Sequence, residues 1–183
     1  MDARFLALIE PQVAKEGGYS NNPSDRGGET IWGITAARAR AAGYAGPMAA
    51  MPRATALDIY GLYYWRQPMF DQIDAIDPYV GEKMLEIGIN MGTGRAGQFL
   101  QRILNVMNGR GSMWADLKVD GVCGAMTRAA MTSFIQRRGA QGRKVLLEAL
   151  TGLQCEFYIG LAEGDVSQED FVYGWIANRV VNV

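Results

Sequence analysis

The sequence predicts a mainly α-helical bundle with one small β element. Apolar residues recur at helical spacing along most of the chain, as in Val80, Met84 and Ile87. Only residues 19–34 combine turn formers with β-branched and aromatic residues, which is typical of a small hairpin. Hydrophobic residues make up 49% of the 183 residues, so the chain can bury an ordinary core.

The helices are predicted from apolar spacing and end signals. Phe5, Leu6, Ile9 and Val13 indicate an opening amphipathic helix, which Pro11 would kink and Gly17-Gly18 would end. Residues 29–34 favour a strand, and Thr35 is a good N-cap for a helix over residues 36–42. Further helices are predicted over approximate residues 55–65, 80–91, 100–107, 125–138, 146–161 and 171–180, with a turn-rich segment over 108–122.

Charge and composition exclude several classes of function. The chain has 18 basic and 19 acidic side chains, a balance that argues against nucleic acid as the partner. The absence of histidine excludes Ser-His-Asp and Cys-His hydrolysis and any metal site built on imidazole. Cys123 and Cys155 are too few for a zinc cluster and are expected to be separate reduced thiols. Acid–base chemistry is therefore left to carboxylates, and no metal or cofactor is predicted.

Hydropathy predicts no stable insertion into a membrane. No run approaches the roughly twenty apolar residues of a membrane span. The stretch from Phe5 to Ile9 is too short for the core of a signal peptide. We therefore expect synthesis in the cytoplasm without a signal peptide, and a substrate outside it would require a separate export route.

Two carboxylates, Glu16 and Asp25, form a candidate acid–base pair. Glu16 lies at the predicted carboxyl end of the first helix, where the helix dipole disfavours ionisation and should raise its pKa. Asp25 lies in a glycine-rich loop beside Arg26, which favours the ionised form. Such opposite environments are typical of an acid and its partner base. The Thr30 hydroxyl could orient a water held by Asp25. In hydrolysis of a glycoside, a separation of roughly 6.5–9.5 Å between the two carboxyl groups leaves room for that water and inverts the anomeric configuration. The structural alternative is a solvated helix end followed by an ordinary turn.

Several other clusters allow both a functional and a structural interpretation. Tyr19 lies between the two carboxylates and Trp32 follows them, so both rings are candidates for stacking on a ligand. Other aromatic residues at helical spacing more often form core: Tyr63, Tyr64, Trp65 and Trp175. Three aspartates could bind a metal but more typically form a solvated edge: Asp71, Asp74 and Asp77. A basic cluster could contact an anionic polymer or a membrane, although a solvated surface is the default: Arg137, Arg138, Arg143 and Lys144. The G-x-G-x-x-G at Gly92–Gly97 lacks the preceding strand of a dinucleotide site.

The segment from Glu16 to Thr35 carries a recognisable signature. It contains E-G-G-Y, a short loop, D-x-G-G-x-T and a G-I-T helix start. This order resembles glycoside hydrolase family 108, which comprises lysozyme-like N-acetylmuramidases found as phage endolysins and secretion-associated muramidases. Glu16 matches the catalytic glutamate of that family, while Asp25 and Thr30 match the Asp and Thr of the same motif. The resemblance implies a lysozyme-like fold without a cofactor.

The resemblance extends along the chain. Tyr64-Trp65 resembles the Y-W of the family, and Asn90-Met-Gly-Thr-Gly resembles its N-x-G loop, which adds Asn90 to Tyr19 and Trp32 as predicted substrate-binding residues. The segments starting at Leu100, Val119 and Phe171 resemble the peptidoglycan-binding region that usually follows. Cys123 departs from the pattern, because an aliphatic residue is commoner at that position.

Together these features predict a muramidase lobe over residues 1–93 and a helical peptidoglycan-binding region over 94–183 packed against it. The expected reaction is hydrolysis of the β-1,4 bond between N-acetylmuramic acid and N-acetylglucosamine, by a monomer acting on peptidoglycan glycan strands. It would serve bacterial lysis or wall remodelling, and the enzyme would reach the periplasm through a holin-like or other route. The alternatives are a non-catalytic peptidoglycan-binding module and a lytic transglycosylase that uses Glu16 alone.

Overall fold

The predicted mainly helical architecture is confirmed. A computed structural model describes residues 3–15, 18–21 and 28–181, and internal packing divides the chain into two units, Met1–Gln67 and Pro68–Val183. The first unit contains α1 (Ala3–Lys15), β1 (Thr30–Ile31), β2 (Ile34–Thr35), α2 (Ala36–Ala41), a 3₁₀ turn (Met48–Ala50), α3 (Arg53–Tyr60) and a π-helical segment (Gly61–Arg66). The second contains α4 (Phe70–Asp74), α5 (Pro78–Met91), α6 (Thr93–Val106), α7 (Ala125–Gly164), a 3₁₀ turn (Val166–Gln168) and α8 (Glu169–Arg179).

Helix α1 provides the core of the first unit. Phe5, Ile9 and Val13 recur every four residues and are almost fully buried, as their spacing predicts. The ring of Phe5 lies 5.7 Å from that of the buried Trp65, so this tryptophan is a core residue. Pro11 does not end the helix, which continues to Lys15.

Helix α3 passes directly into the π-helical segment. The predicted helix over residues 55–65 is therefore confirmed in extent, but its second half is wound more widely. The Gln67 N–H donates to the Leu62 carbonyl at 2.9 Å, a bond that spans five residues instead of four. The guanidinium of Arg38 lies 5.0 Å from the ring of Tyr63 and 5.2 Å from that of Tyr64. These two half-buried tyrosines are thus held at the surface, whereas Trp65 faces the core.

Asp77 corrects the prediction of a solvated acidic edge. It is only 1% exposed, and its carboxylate caps α5 by accepting from the backbone N–H groups of Tyr79 and Val80. Arg143 donates to the same carboxylate, which also removes this arginine from a purely solvated basic cluster. A short helix, α4, precedes this cap and was not predicted, because five residues carry too little periodicity to reveal a helix.

The G-x-G-x-x-G stretch has a packing role in the second unit. A Cβ on Gly97 would collide with the backbone carbonyl of Gly121, and a Cβ on Gly121 would collide with that of Gly94. Gly121 also has a φ of +81°, a conformation that disfavours other residues. Glycine therefore allows the loop before α7 to cross closely over α6.

Helix α7 joins two helices that were predicted separately. The break is a single residue, Gly139, with φ of 56° and ψ of −147°. Among the described helices, α7 alone is long and apolar enough to cross a membrane, and core helices of proteins outside membranes can share this length and composition. Gln154 lies fully buried on this helix.

Both cysteines are unbridged. Cys123 is buried in the loop before α7, and burial raises its pKa from the ordinary value of 9.0 to about 12. Its thiol is therefore neutral and behaves as a small apolar side chain, so the departure from the usual aliphatic residue is accommodated in the core.

Candidate active site

The signature motif ends in a tight hairpin. Strand β1 pairs antiparallel with β2 in the register Thr30↔Thr35 and Ile31↔Ile34, and both isoleucines are buried. The sequence predicted one strand over residues 29–34; instead Trp32 and Gly33 turn the chain. Their φ values, 54° and 72°, are both positive, as a type I′ turn requires. Thr35 then caps α2 as predicted, since its Oγ1 accepts from the Arg38 N–H at 3.3 Å.

Trp32 adopts a backbone conformation that non-glycine residues rarely take. This conformation costs about 1–2 kcal/mol. Two long-range hydrogen bonds hold it: Trp32 Nε1 donates to the Met51 carbonyl at 3.1 Å, and the Tyr60 hydroxyl donates to the Trp32 carbonyl at 3.2 Å. The indole remains half-buried, and its only donor is already used. The accessible part of Trp32 can therefore bind a sugar through its ring face and not through a hydrogen bond.

Tyr19 and Ser20 are hydrogen-bonded to Glu29 and Thr30, at the start of β1. Ser20 and Thr30 exchange two backbone hydrogen bonds, each of 2.8 Å. Next to this bridge, the Tyr19 hydroxyl donates to Glu29 Oε1 at 2.8 Å. That hydrogen bond raises the pKa of Tyr19, and so do the partial desolvation of the tyrosine hydroxyl and the negative charge of Glu29. The Tyr19 ring is 45% exposed, so its face is open to a ligand.

Thr30 is positioned by this bridge. Its Oγ1 donates to the Gly28 carbonyl at 3.2 Å, and the side chain is half-buried. A hydroxyl that has donated its proton still has lone pairs with which to accept. Thr30 can therefore accept a hydrogen bond from a water, whereas donation to that water would require the bond to Gly28 to break.

The two predicted catalytic carboxylates, Glu16 and Asp25, lie outside the described residues. Glu16 follows Lys15, the last residue of α1, in the sequence. Asp25 falls between Asn21 and Gly28 in the sequence, which are the nearest described residues on its two sides. The catalytic roles of Glu16 and Asp25 stay predictions.

Asn90 belongs to the second unit, in the last turn of α5. Its Nδ2 donates to the Glu86 carbonyl at 2.9 Å, which orients the carboxamide. Glu86 itself closes a ring of hydrogen bonds: Lys83 Nζ donates to Glu86 at 2.6 Å and to Gln154 at 2.7 Å, and Gln154 donates to Glu86 at 2.8 Å. Thus Tyr19, Thr30 and Trp32 lie together in one segment, while Asn90 is supported by a separate network.

Sequence reasoning missed Glu29, Met51 and Tyr60 as supports of the motif. Glu29 lies inside the motif and is polar within a strand-like stretch, which could have drawn attention to it. Nothing in the local sequence marks Met51 or Tyr60, because each meets Trp32 only after the chain has folded back.

No cluster of three or more potential metal ligands occurs among the described residues. Two open cavities also lie within the described part of the chain. One, of about 330 Å³, is lined by residues such as Tyr44, Asp58 and Arg66, and the other, of about 540 Å³, by residues such as Asn105, Arg110 and Asp116. Neither is lined by a predicted site residue.

Comparisons with known proteins define the class. Residues 10–92 match the family model described as Glycosyl hydrolase 108, and residues 95–180 match the model described as Predicted Peptidoglycan domain. The chain is therefore a glycoside hydrolase that acts on peptidoglycan, and the bacterial cell wall is its place of action. More particularly, residues 10–92 are a glycoside hydrolase family 108 domain, and a peptidoglycan-binding domain follows over residues 95–180.

A solved structure has the same fold. The structure of Brucella abortus SagA is 28% identical, with a TM-score of 0.60, and the match covers 94% of this chain and 87% of that one. A search of curated proteins found no match.

Proposed function

We propose that the chain is an N-acetylmuramidase that hydrolyses the β-1,4 bond between N-acetylmuramic acid and N-acetylglucosamine. The observation that supports this most is the pairing of Tyr19 and Ser20 with Glu29 and Thr30, which lie on the two sides of Asp25 in the sequence. The pairing consists of the two Ser20–Thr30 hydrogen bonds and the Tyr19–Glu29 bond. These bonds fix Thr30 relative to Tyr19 and Ser20, so the hydroxyl and the ring that we assign to water and substrate are positioned before the substrate binds.

In the proposed reaction, Glu16 donates its proton to the glycosidic oxygen as the bond to the anomeric carbon breaks. A water adds to that carbon, and its proton passes to Asp25. Thr30 accepts a hydrogen bond from this water and orients it. The product gains one water, and inversion follows if the two carboxyl groups are separated by roughly 6.5–9.5 Å.

Substrate binding is assigned to ring faces and one amide. The partly exposed faces of Tyr19 and Trp32 stack against the C–H faces of the sugars. The Asn90 carboxamide, whose N–H already donates to the helix, offers its oxygen to an amide N–H such as that of an N-acetyl group.

The deciding experiment is digestion of purified peptidoglycan by the wild type and by Glu16→Gln. Loss of the acid should slow release of muropeptides by about 10²–10⁴-fold. Mass spectrometry of the products separates three outcomes. Hydrated muropeptides from the wild type support hydrolysis, 1,6-anhydro ends indicate a lytic transglycosylase, and binding without release indicates a non-catalytic module.

The biological role follows from the same activity. We propose that the enzyme acts as a monomer in lysis or remodelling of the wall, and reaches the periplasm by a holin-like or alternative route. Fusion to an export signal should make expression lytic in a Gram-negative host, whereas the fused Glu16→Gln variant should leave the cells intact. Lysis by both proteins would contradict a role that depends on cleavage.

A further inference from the structure

Four aromatic rings form a continuous row on the last two helices. In order they are Phe157 and Tyr158 of α7, then Trp175 and Phe171 of α8. Neighbouring ring centroids are 6.3, 5.4 and 6.0 Å apart, and the Phe171 and Trp175 rings are nearly parallel at 19°. We refer to these four residues as the aromatic row.

One residue of the aromatic row is buried, and the other three are accessible to solvent. Tyr158 is 2% exposed, whereas Phe171 is 54% exposed and Phe157 and Trp175 are half-buried. No residue of α8 is fully buried. Exposed aromatic surface of this kind is unfavourable in water and marks an interaction site more often than an isolated apolar side chain does.

Two arginines are fixed against the row. The guanidinium of Arg95 lies 4.0 Å from the Phe157 ring centroid, and Arg179 Nη1 donates to the Tyr158 hydroxyl at 3.4 Å. A guanidinium held over a ring keeps its N–H donors at the edge, where they can bind a carboxylate. The row therefore combines apolar ring faces with cationic donors.

We propose that the aromatic row with Arg95 and Arg179 is a binding site for peptidoglycan glycan strands. The exposed ring faces would take the C–H faces of the sugars, and the arginines would take carboxylates of the attached peptides. This inference rests on peptidoglycan being the substrate. All six residues lie within 95–180, the segment that matches the peptidoglycan domain.

The chemistry of the row favours a glycan over other occupants. Aliphatic side chains such as Ile159 and Leu161 are also exposed on α7, so apolar exposure alone does not identify the occupant. The occupant is identified by the two arginines and by the match of this segment to a peptidoglycan domain. Here the rings are stacked on one another and flanked by fixed cations, an arrangement that matches an anionic ligand with flat apolar faces.

The test measures binding to purified sacculi in the Glu16→Gln background, so that cleavage does not interfere. Phe171→Ala should weaken cosedimentation about five- to twentyfold, and Phe171→Trp should restore it. Tyr173→Ala is the matched control: it lies on the same helix and is 83% exposed, yet the structure gives it no ring contact within the described residues. Unchanged thermal unfolding of both alanine variants excludes loss of the helix as the cause.

A second measurement separates this proposal from the proposed reaction. With Glu16 intact, Phe171→Ala should slow digestion of sacculi and leave unchanged the rate on short soluble glycan fragments that still contain the cleavable bond. If the wild type binds sacculi through Phe171 but cleaves nothing, the reaction fails and the binding site stands.

Equal binding by Phe171→Ala and the wild type would overturn the site. The site would also be overturned if Phe171→Ala weakened binding only to phosphatidylglycerol vesicles, which would identify a membrane surface. A change only in the molecular mass in solution would overturn it too and would identify a dimer contact.

Discussion

Two irregular segments of this protein are held in different ways. The described parts of the motif segment, residues 18–21 and 28–35, are fixed mainly through their backbone, by the Ser20–Thr30 bridge and the β1–β2 hairpin. The loop between α6 and α7, residues 107–124, is fixed by amide side chains: Gln101 bonds to four groups, and Asn105 exchanges two bonds with the backbone of Leu117.

The two segments differ in which of their polar groups remain accessible. Backbone pairing leaves the Tyr19 ring and the Thr30 hydroxyl available to a ligand. At the other loop, the buried side chains of Gln101 on α6 and Asn108 in the loop use their polar atoms to hold the chain in place. A segment whose polar groups are satisfied internally is built for stability, whereas one that leaves them accessible can bind a substrate.

The largest effect should come from Asp25→Asn. Without a carboxylate to accept the proton of the attacking water, cleavage of peptidoglycan should slow about 100-fold or more. Glu10→Gln is the control, because Glu10 is an exposed acid of the same unit that pairs only at the surface with Arg53. Muropeptide release measures the rate, and near-normal release by Asp25→Asn would leave Glu16 as the single catalytic carboxylate.

Gln101→Leu should have the opposite profile to Asp25→Asn: it should lower the stability of the folded protein and leave the rate constant of cleavage unchanged. It removes the partner of the buried Gly121 N–H and one of the two donors to the Val122 carbonyl, so the free energy of unfolding should fall by about 2–4 kcal/mol. Urea unfolding gives this difference, with the exposed Gln136→Leu on α7 as the control. A Gln101→Leu protein of normal stability would refute the structural role of the network.

Gly97→Ala tests the close crossing of α6 and the loop. Because the new methyl group would collide with the Gly121 carbonyl, the free energy of unfolding should fall by about 1–3 kcal/mol. Gly94→Ala is an internal control on the same helix, since its added methyl group meets no atom within 4 Å. If thermal unfolding finds both variants equal, close packing does not explain the glycine at position 97.

Tyr19→Phe should have the smallest effect. It removes an exposed hydrogen bond to Glu29 but keeps the ring, so KM on peptidoglycan should change by less than about threefold. Tyr19→Ala should raise KM further, because the stacking face is lost. The hydroxyl matters more than the ring if the phenylalanine variant is as impaired as the alanine variant.

The same tyrosine gives a pH dependence with a defined sign. The hydrogen bond to Glu29 raises the pKa of Tyr19 in the folded protein. This bond therefore contributes its full stability below the unfolded pKa of 10.0, and that stability is lost as the pH rises through the folded pKa. Thermal unfolding of the wild type should therefore approach that of Tyr19→Phe above pH 10.

Much of the fold follows from local patterns in the sequence. The buried faces of α1 and α5 and the capping role of Thr35 depend only on residue spacing and on the preferences of single residues. The candidate catalytic residues were likewise found from one short motif, since Glu16, Asp25 and Thr30 lie within fifteen positions. Local information of this kind is present before the chain folds.

The tertiary structure decided what long-range contacts impose. The sequence predicted a strand where Trp32 turns, because the Met51 and Tyr60 groups that hold the turn are 19 and 28 positions away. It predicted a solvated Asp77, because Arg143 lies 66 positions further along the chain. By itself the sequence determined the helices and the motif, since spacing and residue chemistry act locally. Only folding decided which polar groups are buried and which stay open to the wall, because that depends on partners brought together from distant positions.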